Sequence, residues 1–98
     1  MVVTVRIPTI FRADVGGRPN VEASGRTLRD LLDDLEGRYP GLRARIVDEE
    51  GGLRRFVNLY VNEEDVRYLS SLDTEVAEGD TVSILPAVAG GAQGAKTR

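Results

Sequence analysis

One long helical stripe, with strand-like segments on both sides, constrains this chain more than any other feature. Leu28, Leu31, Leu32, Leu35 and Tyr39 recur at i, i+3, i+4, i+7 and i+11, the apolar face of an amphipathic helix. Thr27 is its predicted N-cap, with Asp30 three residues on as a variant of the capping box. Gly37 and then Pro40-Gly41 are expected to end it.

The flanking segments have the period of strands. Val3, Val5 and Ile7 alternate with Val2, Thr4 and Arg6, as in a half-buried strand. Pro8 limits how far that strand can pair within a sheet. Residues 14 to 20 are dense in turn formers, and Val21 and Ala23 resume the alternation, so the chain opens as a β-hairpin. Beyond the helix, Leu42 to Val47 suit a short helical turn. Asp48 to Gly52 form an acidic loop, and Phe56 to Val61 read as a strand. A turn over Asn62 to Asp65, an edge segment over Val66 to Tyr68 and a loop over Leu72 to Val76 precede a last strand, Thr81 to Leu85. The order ββαββ predicts an α+β fold with the main helix on one face of a mixed sheet. The first and last strands have no tight turn between them. Placed side by side and parallel in the centre, they give the β-grasp arrangement, here a domain over residues 1–89.

A chain of 98 residues supports one such domain. Cys and His are both absent, which excludes most zinc sites and most nucleophile–base pairs. The formal charge of −3 argues against nucleic acid as a partner. No apolar run is long enough to span a membrane and no secretory signal opens the chain, so a cytoplasmic location is expected. Glu63-Glu64-Asp65 and Asp48-Glu49-Glu50 lack the ligand spacing of a cation loop and read as solvated turns. Gly16-Gly17 and Gly51-Gly52 open no helix and match no phosphate-binding pattern, so they read as plain loops. Arg54-Arg55 beside Phe56 reads as a surface pair.

Gly90-Gly91 stands apart. It follows the apolar run Val82 to Ala89 and precedes a tail with no apolar residue larger than alanine. Composition predicts a mobile end over residues 90–98. Glycine has no Cβ, so such an end can enter a narrow cleft.

The closing pattern Gly79-Asp80-x-Val82-x-Ile84-Leu85-Pro86-x-Val88-x-Gly90-Gly91 resembles the C-terminal signature of the ubiquitin-like sulfur carriers. This is the MoaD/ThiS family of molybdopterin synthase small subunits and thiamine-pathway carriers. The segments Val3-Thr4-Val5-x-Ile7-Pro8-Thr9-Ile10, Ala23-Ser24-Gly25-x-Thr27-Leu28 and Arg55-Phe56-Val57-Asn58 extend the likeness, as does Tyr60-Val61-Asn62-x-Glu64-Asp65-Val66-Arg67. Together they look most like the CysO-type carriers of cysteine biosynthesis. The resemblance implies that the carboxylate of Gly91 is the working group, on a stalk of Val88, Ala89 and Gly90. An E1-like enzyme of the MoeB/MoeZ type would adenylate it with ATP, and a sulfur donor would displace AMP to leave a thiocarboxylate. A cysteine synthase or a ThiG-like synthase would accept the sulfur, for cysteine, thiamine, molybdopterin or a sulfur-bearing natural product. The carrier itself would bind no cofactor and no metal and would not be an enzyme. Phe56, Leu59, Pro86 and Ala87 are the implied partner-docking residues, although Phe56 and Leu59, three apart in one strand, face opposite sides.

Here Gly91 is followed by Ala92, so its carboxylate is held in a peptide bond. The resemblance implies removal of residues 92–98 by a JAMM-type metalloprotease. That removes Lys96 and Arg98 and takes the formal charge from −3 to −5, which predicts docking to basic enzyme surfaces. The competing expectation is a β-grasp interaction module that is never processed.

Overall fold

The computed structural model describes residues 2–86. β1 (Val3–Arg6) and β2 (Asn20–Ala23) pair antiparallel, and β1 pairs parallel with β5 (Thr81–Pro86). β5 pairs antiparallel with β3 (Val57–Val61), and β3 with the two-residue β4 (Glu64–Asp65). The sheet order is β2-β1-β5-β3-β4. The expected mixed sheet is present, with the first and last strands parallel at its centre.

Helix α1 (Leu28–Arg38) covers one face of that sheet. Thr27 Oγ1 accepts from the Asp30 amide at 3.2 Å, which is the predicted N-cap. Leu28, Leu31, Leu32 and Leu35 are all buried. Against them lie Val3, Val5 and Ile7 of the first strand and its exit, Val21 and Ala23 of β2, Val57, Leu59 and Val61 of β3, and Val82 and Ile84 of β5. Among the described residues this cluster begins at Val3 and ends at Ile84.

Gly37 lies inside α1, contrary to expectation. One glycine weakens a helix by about 1 kcal/mol and does not stop it. Pro40 ends it by forcing the residue before it out of the helical region, and Tyr39 sits at φ −136°, ψ 81°. Gly41, at φ 99°, reverses the chain into α2 (Leu42–Ile46). The Glu36 carboxylate then accepts from the Gly41 and Arg43 amides at 3.0 and 3.1 Å and caps α2.

The connections depart further. A 3-10 helix over Thr9–Val15 joins β1 to β2 and buries Phe11 and Val15, so the opening is not a plain hairpin. Val66–Tyr68 is a 3-10 helix and not an edge strand. Glu64–Asp65, expected within a turn, forms β4. The long β4–β5 connection belongs to the core. It buries Val66, Leu72 and Val76, and it is tied to the start of α1 by Leu28 N to Thr74 O (3.0 Å) and Val76 N to Arg26 O (2.8 Å). Gly25 packs so closely on α1 that a Cβ there would lie 2.6 Å from the Leu31 nitrogen.

Candidate functional site

β5 carries the chain toward Gly90-Gly91, so what holds β5 and what it exposes define the candidate site. Its start is tightly fastened. Gly79 sits at φ 91° in a turn closed by the Asp80 amide on Ala77 O at 3.0 Å, a conformation that suits glycine. One Asp80 carboxylate oxygen accepts from the Ala77 amide at 2.9 Å, and the other accepts from Asn62 Nδ2 at 3.3 Å. Asn62, itself at φ 58°, accepts from the Thr81 amide through Oδ1 at 3.1 Å and donates its own amide to Thr81 O at 2.7 Å. The Gly79-Asp80 pair is therefore the clamp from which β5 starts.

Along β5, Val82 and Ile84 point to the helix, whereas Thr81, Ser83 and Leu85 point to the open face. In register, Ser83 lies between Arg6 of β1 and Tyr60 of β3, and Leu85 lies opposite Asn58. A groove of about 620 Å³ runs beside the end of β5. Arg6, Pro8, Arg12, Asn20, Ser83 and Leu85 line most of it. Both charged groups in its lining are guanidiniums, and the lining holds no carboxylate. Net charge describes the whole chain, and a neighbouring depression that shares Arg6, Thr81 and Ser83 is lined by Glu63 and Glu64.

On the other flank, the Arg67 guanidinium donates to Asn58 Oδ1, to Val57 O at 2.9 Å and to Arg54 O at 3.3 Å. It fastens the 3-10 turn after β4 to the beginning of β3. Phe56 stands just before β3, 50% exposed, and Val57 pairs with Pro86. Phe56 and Pro86 are therefore brought together at the end of β5. Leu59 is not part of this surface: it is fully buried opposite Ile84, on the helix side of β3. No partner can touch it in the folded chain. Leu85, 46% exposed, is the apolar residue the sequence reading overlooked. The alternation that put Val82 and Ile84 inside would have placed it outside. Ala87 and the stalk residues Val88, Ala89, Gly90 and Gly91 lie outside the described residues.

Among the described residues no group of three His, Cys, Asp or Glu side chains is placed to hold a metal ion, and no helix is long and apolar enough to cross a membrane. Asp48 accepts from the Glu50 and Gly52 amides at 2.9 and 3.0 Å, which closes its own loop.

Comparison with known proteins gives a consistent picture. The sequence pattern of the ThiS family matches residues 5–91. The sulfur carrier protein CysO of Mycobacterium tuberculosis is 55% identical over 93 residues, covering 93% of this chain and all of that protein. A putative sulfur carrier protein of Archaeoglobus fulgidus is 35% identical over 91 residues, with the same coverage. Among solved structures, CysO in the Amycolatopsis orientalis BexX/CysO complex superposes with a TM-score of 0.85 at 56% identity. The match covers 91% of this chain and 99% of that one.

Proposed function

The chain belongs to the ThiS family, and from that membership we propose that it is a sulfur carrier of the CysO type, a protein co-substrate and not an enzyme. Its working group is the Gly91 carboxylate, released when a protease of the JAMM type cuts the Gly91–Ala92 bond. An E1-like enzyme then joins that carboxylate to AMP from ATP, with pyrophosphate leaving. A sulfur nucleophile attacks the acyl carbon, the bond to AMP breaks, and a thiocarboxylate remains. A cysteine-forming synthase takes the sulfur in turn. ATP belongs to the activating enzyme, and nothing in the chemistry asks this chain for an acid, a base or a metal.

The observation that carries this reading is the position of β5. It is the middle strand of the sheet, clamped at its start, and it leads from Pro86 straight into a segment where the family match ends on Gly91. Residues 87–91 span at most about 17 Å when extended, enough to carry a carboxylate from the sheet into a recessed active site. A synthase that receives the stalk would meet the end of β5 with Phe56, Leu85 and Pro86.

The test is the intact mass of the protein isolated from its native cell. The expected species end at Gly91, and some of them carry sulfur in place of one oxygen. Protein that retains residues 92–98 throughout growth, with no thio form, would overturn the reading in favour of an unprocessed interaction module.

A further inference from the structure

We propose that the outer edge of β2 pairs with the same edge of a second copy of this chain, so that two sheets join into one. This pairing does not depend on the carrier reading. β2 and β4 are the two edges of the sheet. Along an antiparallel strand, successive residues turn their backbone groups alternately toward and away from the neighbouring strand. Ile7 donates its amide to Pro19 O at 2.8 Å, which fixes the alternation: Val21 and Ala23 face β1, opposite Val5 and Val3. Asn20 and Glu22 therefore each turn an amide and a carbonyl away from the sheet. Both residues are exposed, and none of these four groups has a partner among the described residues. The free stretch is bounded on both sides. The Ser24 amide is taken by Asp34 Oδ2 at 2.8 Å, and the Arg18 amide is turned to Val15 O at 3.4 Å.

The free groups are symmetric about Val21, so an identical strand run antiparallel satisfies all of them. Asn20 of each copy faces Glu22 of the other and exchanges hydrogen bonds with it, and the two Val21 residues meet at the two-fold axis. Charge agrees with this register. Arg18 and Glu22, both exposed, line one depression of about 460 Å³ at this edge. In the pair each Arg18 stands diagonal to Glu22 of the other copy, about 7–8 Å away and within reach of long side chains. A segment bearing only carboxylates would be repelled by Glu22, and one bearing only cations by Arg18. β4 offers no equivalent edge. It is two residues long and both are acidic, so copies joined there would oppose like charges. Because β1 lies between β2 and β5, pairing leaves β5 uncovered. The two-fold axis sets the two β5 strands antiparallel, about 24 Å apart across five strand spacings. Their Pro86 ends then lie at opposite ends of the joined sheet, and each copy can meet an enzyme of its own.

One short strand per copy makes a small interface, so the full chain is expected to self-associate at about 0.1–1 mM. Sedimentation velocity across that range measures it. Arg18→Glu and Glu22→Arg each set like charges across the axis and should each weaken association about tenfold. Mixed in equal amounts, the two variants should pair with each other about as strongly as the parent pairs with itself, because each then meets the opposite charge at both contacts. Unchanged melting temperatures at low concentration should show that the lost association is not lost folding. Hydrogen exchange of the Asn20 and Glu22 amides in the parent should slow as concentration rises. A parent chain that stays single up to about 2 mM overturns the proposal. So does association that neither charge variant weakens, failure of the mixed variants to pair, or protection that grows at β4 or β5 and not at β2.

Discussion

The two faces of one sheet have opposite duties. The face under α1 is closed by Leu28, Leu31, Leu32 and Leu35 and is almost wholly aliphatic. The open face presents Arg6, Ser83, Tyr60, Asn58 and Leu85, with no helix over it among the described residues. Neighbouring residues on the same strand therefore differ in what they do. Side chains on the covered face hold the fold, and on the open face Arg6 and Leu85 stand exposed. The carrier reading depends on that separation, because a stalk must be presented by a body that stays rigid while its partners change.

Matched substitutions are the sharpest way to break this contrast. Leu59→Ala, on the covered face, should lower stability by about 2–5 kcal/mol, as for a fully buried leucine. Leu31→Ala in α1 should cost about the same. Chemical denaturation decides both, and a loss below 1 kcal/mol at Leu59 would mean the faces are not as distinct as described. Gly25→Ala forces a methyl against the α1 backbone and should cost about 1–3 kcal/mol; an unchanged midpoint would show that the helix can retreat. Asp80→Ala removes the two bonds that clamp the start of β5 and should cost about 1 kcal/mol. Asp80→Asn, keeping the acceptor for the Ala77 amide, should recover part of it. Leu85→Ala, on the open face, should move stability by no more than about 0.5 kcal/mol while weakening activation by the partner enzyme. Deleting Gly91 from the processed chain should leave the melting temperature unchanged and abolish thiocarboxylate formation. A large fall in melting temperature would instead place the end of the chain in the core.

Much of the fold was legible because its signals are local. The stripe from Leu28 to Leu35, the Thr27 cap and the alternation at Val3, Val5 and Ile7 each depend on a few adjacent residues, and each appears as expected. Misreadings fell where distant contacts decide. Phe11 and Val15 turn a supposed hairpin link into a buried 3-10 helix, and Val66 does the same after β4. Nothing in their immediate sequence announces what they will bury against. Gly37 misled because glycine ends a helix only where the backbone must turn left-handed, and the turn here comes at Gly41. Of the expected docking residues, Phe56 is exposed beside the strand pair that holds Pro86, whereas Leu59 lies in the core and the exposed Leu85 was overlooked.

By itself the sequence determined that one helix would cover one sheet, that β5 would lead to a Gly-Gly pair, and that no Cys or His would serve the chemistry. These follow from period, propensity and residue type, which act over a few positions. Only the tertiary structure decided which side of β3 and β5 is closed, and that an acidic chain carries a cationic groove beside its last strand. Burial and local charge are sums over residues far apart in sequence. Arg6 and Arg12 meet Ser83 and Leu85 only because β1 and β5 lie parallel at the centre of the sheet.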